Sequence, residues 1–187
     1  NGVGVTVKSG LNSTGTLKTA CGPAIRLVAT DAMGPMRDGP AAQFCGRLMI
    51  LLSSRALLIV DHLLLTHSGR VEARFHTFAA TRTGADSAEL RGRSDRLRMA
   101  CAANVPGLLA TARTAPTTPT APSANVLRWC TRGLHHDMAL ATLLNPGRAP
   151  LAVKLRMTPT RLLVTGRVGS HPFSLSLTHD LRPARRR

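Results

Sequence analysis

Val71-Glu72-Ala73-Arg74-Phe75-His76 alternates apolar and polar side chains without a break. A β-strand turns successive side chains to opposite faces, so Val71, Ala73 and Phe75 share one face and Glu72, Arg74 and His76 the other. The same period returns in Leu151–Met157, where Leu151, Val153, Leu155 and Met157 face inward while Lys154 and Arg156 face outward. It returns again in Arg96–Cys101, where Leu97, Met99 and Cys101 alternate with Arg96, Arg98 and Ala100. Runs of this kind suit antiparallel strands with one solvated face. Ala56-Leu57-Leu58-Ile59-Val60 is apolar on both faces and predicts a central strand, closed by Asp61.

Further short apolar or alternating runs lie at Ile25–Thr30, Arg47–Leu52, Ala88–Arg91, Val126–Thr131, Met138–Leu144, Arg161–Arg167 and Phe173–Thr178. Turn residues separate many of them: Ser68-Gly69, Thr83-Gly84, Asn145-Pro146-Gly147, Thr158-Pro159-Thr160 and Gly169-Ser170. The spacing predicts an all-β fold, an antiparallel β-sandwich of about ten to twelve short strands with little helix. Residues 1–20, rich in Gly, Ser and Thr, read as an edge strand and loop. Residues 111–124, TARTAPTTPTAPSA, read as a surface loop, because each proline removes a ladder donor. The expected organisation is one domain over 1–181 followed by a basic tail, 182–187.

The chain has 187 residues, 43% of them hydrophobic, which is enough for a core and argues against global disorder. Its longest apolar stretch is interrupted by Ser53, Ser54 and Arg55, so no run reaches the roughly 20 residues of a spanning helix. The chain begins at Asn1 and reads as a processed or excised piece, any leader lying outside it. The formal charge is +16, from 22 Arg and 3 Lys against 9 acids. Such an excess points to a polyanionic partner or to a coding bias scattered over a solvated surface. Arginine suits forked bonding to carboxylate, sulfate-like and phosphate oxygens. Its densest internal cluster is Arg91, Arg93, Arg96 and Arg98. Single-strand nucleic-acid binders add stacking aromatics, whereas this chain has no Tyr, and Trp129 and four Phe fit a core count. That weighs against nucleic acid and favours an acidic polysaccharide.

Cys21, Cys45, Cys101 and Cys130 form no CxxC pair and read as small buried hydrophobes. No HExxH, nucleotide-binding glycine loop or GxSxG elbow is present. Among seven histidines, His76 stands beside Arg74 and Glu72 on a polar strand face. It is a candidate metal ligand, substrate contact or general base, set against a strand histidine satisfied by one hydrogen bond. Asp61 follows a buried strand and suits either a metal or an arginine partner, and Asp31 could join a His/Asp cluster. His135-His136-Asp137 reads as an exposed turn.

The order Arg47-Leu48-Met49-Ile50-Leu51-Leu52, Ala56-Leu57-Leu58-Ile59-Val60-Asp61 and Val71-Glu72-Ala73-Arg74-Phe75-His76-Thr77 resembles the C-terminal β-domain of heparinase II/III-like polysaccharide lyases. In that family an apolar strand ending in Asp is followed shortly by a strand ending in Phe-His. Asp31-Ala32 resembles a preceding Asp-Ala segment. The resemblance runs over roughly residues 25–145 and is strongest over 47–77. It implies β-elimination at a uronic acid, with a base taking the C5 proton and an acid protonating the leaving oxygen. It also implies an acidic polysaccharide partner, an N-terminal α-helical domain in the parent chain, and a periplasmic or secreted location. The family's acid–base work falls to Tyr and His. Here there is no Tyr, and Asn12-Ser13-Thr14 lacks the histidine of the family's His-Asn-Thr-like motif, so catalytic residues are unknown. What carries over is Asp31, Asp61 and His76, as positions for a divalent metal such as zinc or as structural positions; Arg74 and His76, from the polar face of their strand, are the candidate substrate contacts. The alternative is a non-catalytic polyanion- or carbohydrate-binding module.

Overall fold

A computed structural model describes residues 17–21, 26–31, 42–52, 55–114 and 123–182. Its strands are β1 Leu17–Cys21, β2 Arg26–Asp31, β3 Ala42–Leu51, β4 Leu57–Gly69, β5 Glu72–Thr77, β6 Ala80–Thr83 and β7 Ser87–Arg91. They continue as β8 Arg96–Ala103, β9 Gly107–Arg113, β10 Asn125–Thr131, β11 His135–Pro146, β12 Leu151–Met157, β13 Leu162–Val168 and β14 His171–Leu177. The fold is all-β and antiparallel, as the alternation predicts. An eight-stranded sheet runs β1-β2-β3-β4-β11-β8-β7-β6, and two three-stranded sheets run β5-β10-β9 and β12-β13-β14. No helix among the described residues is long and apolar enough to cross a membrane.

The apolar run Leu57–Val60 lies in the middle of the large sheet, between β3 and β11. Leu48, Ile50, Leu58, Val60, Ala139, Ala141 and Leu143 pack against Leu162, Val164, Val168 and Leu177 of the β12–β14 sheet. Leu90, Met99, Cys101, Met138 and Leu140 lie in a second core with Leu109, Leu127 and Trp129 of the β5-β10-β9 sheet. Thus the large sheet carries a smaller one on each face, which explains why Met138 to Leu143 is buried without alternation.

Several boundaries differ from the sequence expectation. There are fourteen strands among the described residues, in three layers. Asp61 does not close its strand: β4 runs for 13 residues, because Arg47 on the neighbouring β3 binds the carboxylate within the sheet. The Pro/Thr loop begins later than residue 111, since Thr111, Ala112 and Arg113 pair with Leu127, Val126 and Asn125 before the first proline intervenes. Thr114 N–H then donates to Ala124 O at 3.0 Å and closes the loop. His135-His136-Asp137 is no free turn but the start of β11, with a register shift between His135 and Asp137. Of the edge strand and loop expected in residues 1–20, the part from Leu17 on lies in β1 at the margin of the large sheet; residues 1–16 and the tail beyond Arg182 lie outside the described residues.

Gly166 on β13 is fixed by close approach. A Cβ on Gly166 would lie 2.4 Å from the Ala152 carbonyl oxygen and 2.6 Å from Phe173 Cζ. Gly166→Ala is therefore expected to cost about 1–3 kcal/mol through overpacking, read from the midpoint of a denaturant titration. An unchanged midpoint would contradict this packing.

Candidate functional site

Three of the arginines clustered in the sequence come together because β6, β7 and β8 are neighbours. The ladder aligns Arg82 with Glu89 and Glu89 with Arg98, and two residues on it aligns Arg91 with Arg96. Partners in a ladder and residues two apart share a face, so four guanidinium groups and one carboxylate stand on one side of the sheet. Arg91 Nε donates to Glu89 Oε1 at 2.7 Å, and Arg96 Nε lies 3.2 Å from the same oxygen. The Arg91 hydrogen bond holds the Glu89 carboxyl below the usual carboxylate range, and with the charges of Arg91, Arg96 and Arg98 it outweighs desolvation, which acts the other way. Arg82 and Arg98 have no ion-pair partner among the described residues. They flank a groove of about 480 Å³ that is completed by Gly84, Ser87, Pro150 and Leu151. The sequence cluster contains three of these arginines. Arg82 was missed because it joins from β6, and Arg93 sits instead in the exposed β7–β8 turn.

Arg74 and His76 lie on the exposed face of β5, while Ala73 and Phe75 pack into the core behind them. Arg74 Nε donates to Glu72 Oε1 at 2.5 Å, and the ladder aligns Arg74 with Arg128 on β10. Burial alone would raise the Glu72 carboxyl, but hydrogen bonds from Arg74 and Cys130 and the charges of Arg74 and Arg128 bring it below its ordinary value. Asp61 belongs to a different sheet. Arg47 Nε and Nη2 donate to its Oδ1 at 2.6 Å and its Oδ2 at 3.1 Å, a forked pair that occupies both carboxylate oxygens. Asp31 pairs across β2 and β3 with Gly46, which in turn pairs with His62. The fold thus does not bring His76 to Asp61, and the cross-strand row through Asp31 leads to a different histidine.

That histidine, His62, is 3% exposed and meets two groups distant in sequence. Its Nδ1 lies 2.5 Å from the His179 carbonyl oxygen and its Nε2 lies 2.8 Å from Asp137 Oδ1. His179 Nε2 lies 2.9 Å from the Thr158 carbonyl oxygen. Asp137 stands at the β11 register shift, a kind of irregularity that re-aims a side chain. His179 stands in a turn closed by Leu181 N–H donating to the Thr178 carbonyl oxygen at 2.9 Å. Leu181 has φ of 60° there, a strained value for a leucine, and is held by burial of its side chain in the core. The ligand-capable atoms of His62, Asp137 and His179 all lie within 4.8 Å of one another. Sequence reading missed this group because its members are separated by 75 and 117 residues. Its one local sign, a histidine directly after the strand-central Asp61, is weak.

No protein-family model matches the sequence, and no curated protein matches it. Solved structures do. Heparinase III matches with a TM-score of 0.70 over 88% of this chain, at 15% identity. The chain has a heparinase III-type fold. The heparan sulfate lyase HepC from Pedobacter heparinus matches with a TM-score of 0.66 over 91% of the chain at 8% identity. A second heparinase III, with methylated lysines, gives 0.67 over 87% at 9% identity. The chain spans 27% to 29% of the length of these proteins. At such identities the likeness is one of fold, and it agrees with the all-β reading of the sequence.

Proposed function

We propose that this chain is the β-sheet region of a polysaccharide lyase acting by β-elimination on an acidic, uronate-containing polysaccharide. The groove lined by Arg82 and Arg98, with Arg91 and Arg96 beside it on the same sheet face, carries this reading, together with the shared heparinase III-type fold. A forked guanidinium accepts a carboxylate or sulfate in two parallel charge-assisted bonds. Binding the uronate carboxylate would also stabilise the enolate-like charge that develops when the C5 proton leaves. With no tyrosine in the chain, its part is anion binding, and an N-terminal α-helical domain of a longer parent chain supplies the acid–base pair. Arg74 and His76, beside Arg128, offer a second exposed basic row. A periplasmic or secreted location belongs to the same proposal, since that is where such a glycan would be met.

A second reading is a polyanion-binding module without catalysis, favoured by a groove complete within the chain. Titrating the 187-residue chain with heparan sulfate oligosaccharides is expected to show binding that weakens as salt rises, because exposed charges are screened within about 8–10 Å. Absorbance of unsaturated uronate should not grow with the chain alone. Binding indifferent to salt would remove the groove reading, and turnover by the chain alone would overturn the division of labour. If the parent chain also shows no turnover, the module reading stands.

A further inference from the structure

We propose that the outer face of the β12–β14 sheet is a second attachment surface for the acidic polysaccharide, holding the length of glycan that runs on past the groove. This rests on the glycan reading of the groove and adds where the rest of a long glycan lies. The fold segregates charge. No Asp or Glu occurs between Asp137 and Asp180, a stretch that contains Arg148, Lys154, Arg156, Arg161 and Arg167. Elsewhere arginines are matched: Arg47, Arg74, Arg91, Arg96, Arg128 and Arg182 each meet a carboxylate in an ion pair. None of the cations between Asp137 and Asp180 does so among the described residues. The two bounding carboxylates are themselves engaged, Asp137 by His62 and Asp180 by Arg182.

Leu151, Val153, Leu155 and Met157 of β12 pack against the core, which turns Lys154 and Arg156 outward. Burial of Leu162, Val164 and Val168 turns Thr165 and Arg167 of β13 outward in the same way. The ladder sets Arg167 beside Ala152, and Thr165 beside both Lys154 and Ser174. Same-face residues two apart on a strand, or diagonal across a pair, stand about 7–8 Å apart. Arg167, Lys154 and Arg156 thus form one track of cations at that step. The exposed Thr165 and Ser174 add hydroxyls that can donate to carboxylate or sulfate oxygens. The track begins where the groove ends. Pro150 and Leu151, at the start of β12, line the groove with Arg82 and Arg98, and the next residue, Ala152, is the one that pairs with Arg167. Arg148 is exposed in the turn that leads into β12. Asp86 shares a neighbouring groove with Lys154 but forms no ion pair with it. A linear polyanion leaving the groove over β12 therefore meets successive unpaired cations and no carboxylate of that sheet. Each exposed contact is weak, but a glycan already held in the groove presents its remainder at high effective concentration. Long glycans gain from the face and short ones do not.

The test compares the 187-residue chain with Lys154→Gln/Arg156→Gln/Arg167→Gln, whose replaced side chains are all exposed, after circular dichroism shows both folded. Titrations use long heparan sulfate and a heparan sulfate disaccharide, short enough for the groove. The triple variant should bind long heparan sulfate about 5- to 30-fold more weakly at low salt, with a shallower salt dependence, and the disaccharide within about twofold of the unsubstituted chain. Removing the same charge elsewhere, by Arg70→Gln/Arg113→Gln/Arg132→Gln, should cost less than about threefold. Unchanged affinity of the triple variant for long heparan sulfate, or an equal loss in the control variant, would overturn the face. So would binding to phosphatidylglycerol vesicles that the triple variant abolishes while its heparan sulfate affinity holds, since the face would then belong to a lipid surface. Arg82→Gln/Arg98→Gln separates the face from the groove. If that pair loses the disaccharide and the triple variant loses nothing, the groove stands and the face falls. If that pair loses nothing and the triple variant loses long heparan sulfate, the groove falls and the face stands as a polysaccharide surface of its own.

Discussion

Trp129→Ala is expected to remove about 3–5 kcal/mol of unfolding free energy, a large share of the roughly 5–15 kcal/mol that holds a domain together. Trp129 is 4% exposed and belongs to the core between the large sheet and the β5-β10-β9 sheet, with Met99, Leu109, Leu127 and Leu140. Its indole lies over Gly107, where a Cβ would come within 2.1 Å of Trp129 Cζ2. Two effects therefore share one space. Truncating the indole leaves a cavity that backbone-paired strands cannot collapse to fill. Adding a methyl at Gly107 instead forces the indole out of place and should cost about 1–3 kcal/mol. In the double variant the methyl enters the cavity, so the two losses should fall short of their sum by 0.5 kcal/mol or more, on the order of contact pairs in double-mutant cycles. Denaturant unfolding followed by circular dichroism measures all three. Additive losses would mean that Gly107 and Trp129 do not meet as described.

The second large effect concerns binding. Replacing both Arg82 and Arg98 with glutamine should weaken heparan sulfate binding by about 1–2 kcal/mol, or roughly 5- to 30-fold at low salt. These two arginines are chosen because neither is held in an ion pair among the described residues, so both are available to a ligand. Glu89→Gln should act in the opposite direction. Its carboxyl, held below the usual range by Arg91, remains charged at neutral pH, occupies Arg91 and Arg96 and repels a polyanion. Removing that charge should tighten binding. The sign also fixes the pH response: with Glu89 depressed, acidification relieves the repulsion only below the ordinary carboxylate range. Arg74→Gln, on the outer face of β5, should change affinity by less than about twofold if the groove dominates. Titrations at two salt concentrations decide it. Equal losses from Arg74→Gln and the groove pair would mean that charge acts without a site, as a scattered basic surface would.

Fold class was legible because side-chain alternation is local. Val71–His76 and Leu151–Met157 each declare a period of two within a few residues, and β5 and β12 bury the faces that this period selects. The doubly apolar Leu57–Val60 likewise announces a strand with neighbours on both sides. The same locality limits the site. Alternation tells which face a residue occupies but not which strand lies beside it. Asp61 suits an arginine or a metal by its sequence, and the structure gives it an arginine; which one was hidden because Arg47 is supplied by a strand 14 residues earlier. Arg82 looked solitary because only the β6–β7–β8 ladder sets it in line with Glu89 and Arg98.

What the amino-acid sequence determined by itself is an antiparallel β protein with a strongly basic surface and a hydrophobic core sufficient to fold. Composition, charge and a two-residue period are properties of short segments and need no partner to be read. Tertiary structure alone decided that the large sheet is covered on both faces, that arginines from three strands share one sheet face, and that His62, Asp137 and His179 converge across as many as 117 residues. Those features depend on pairing register and chain closure. Register turns on packing between distant segments, and no local pattern encodes it.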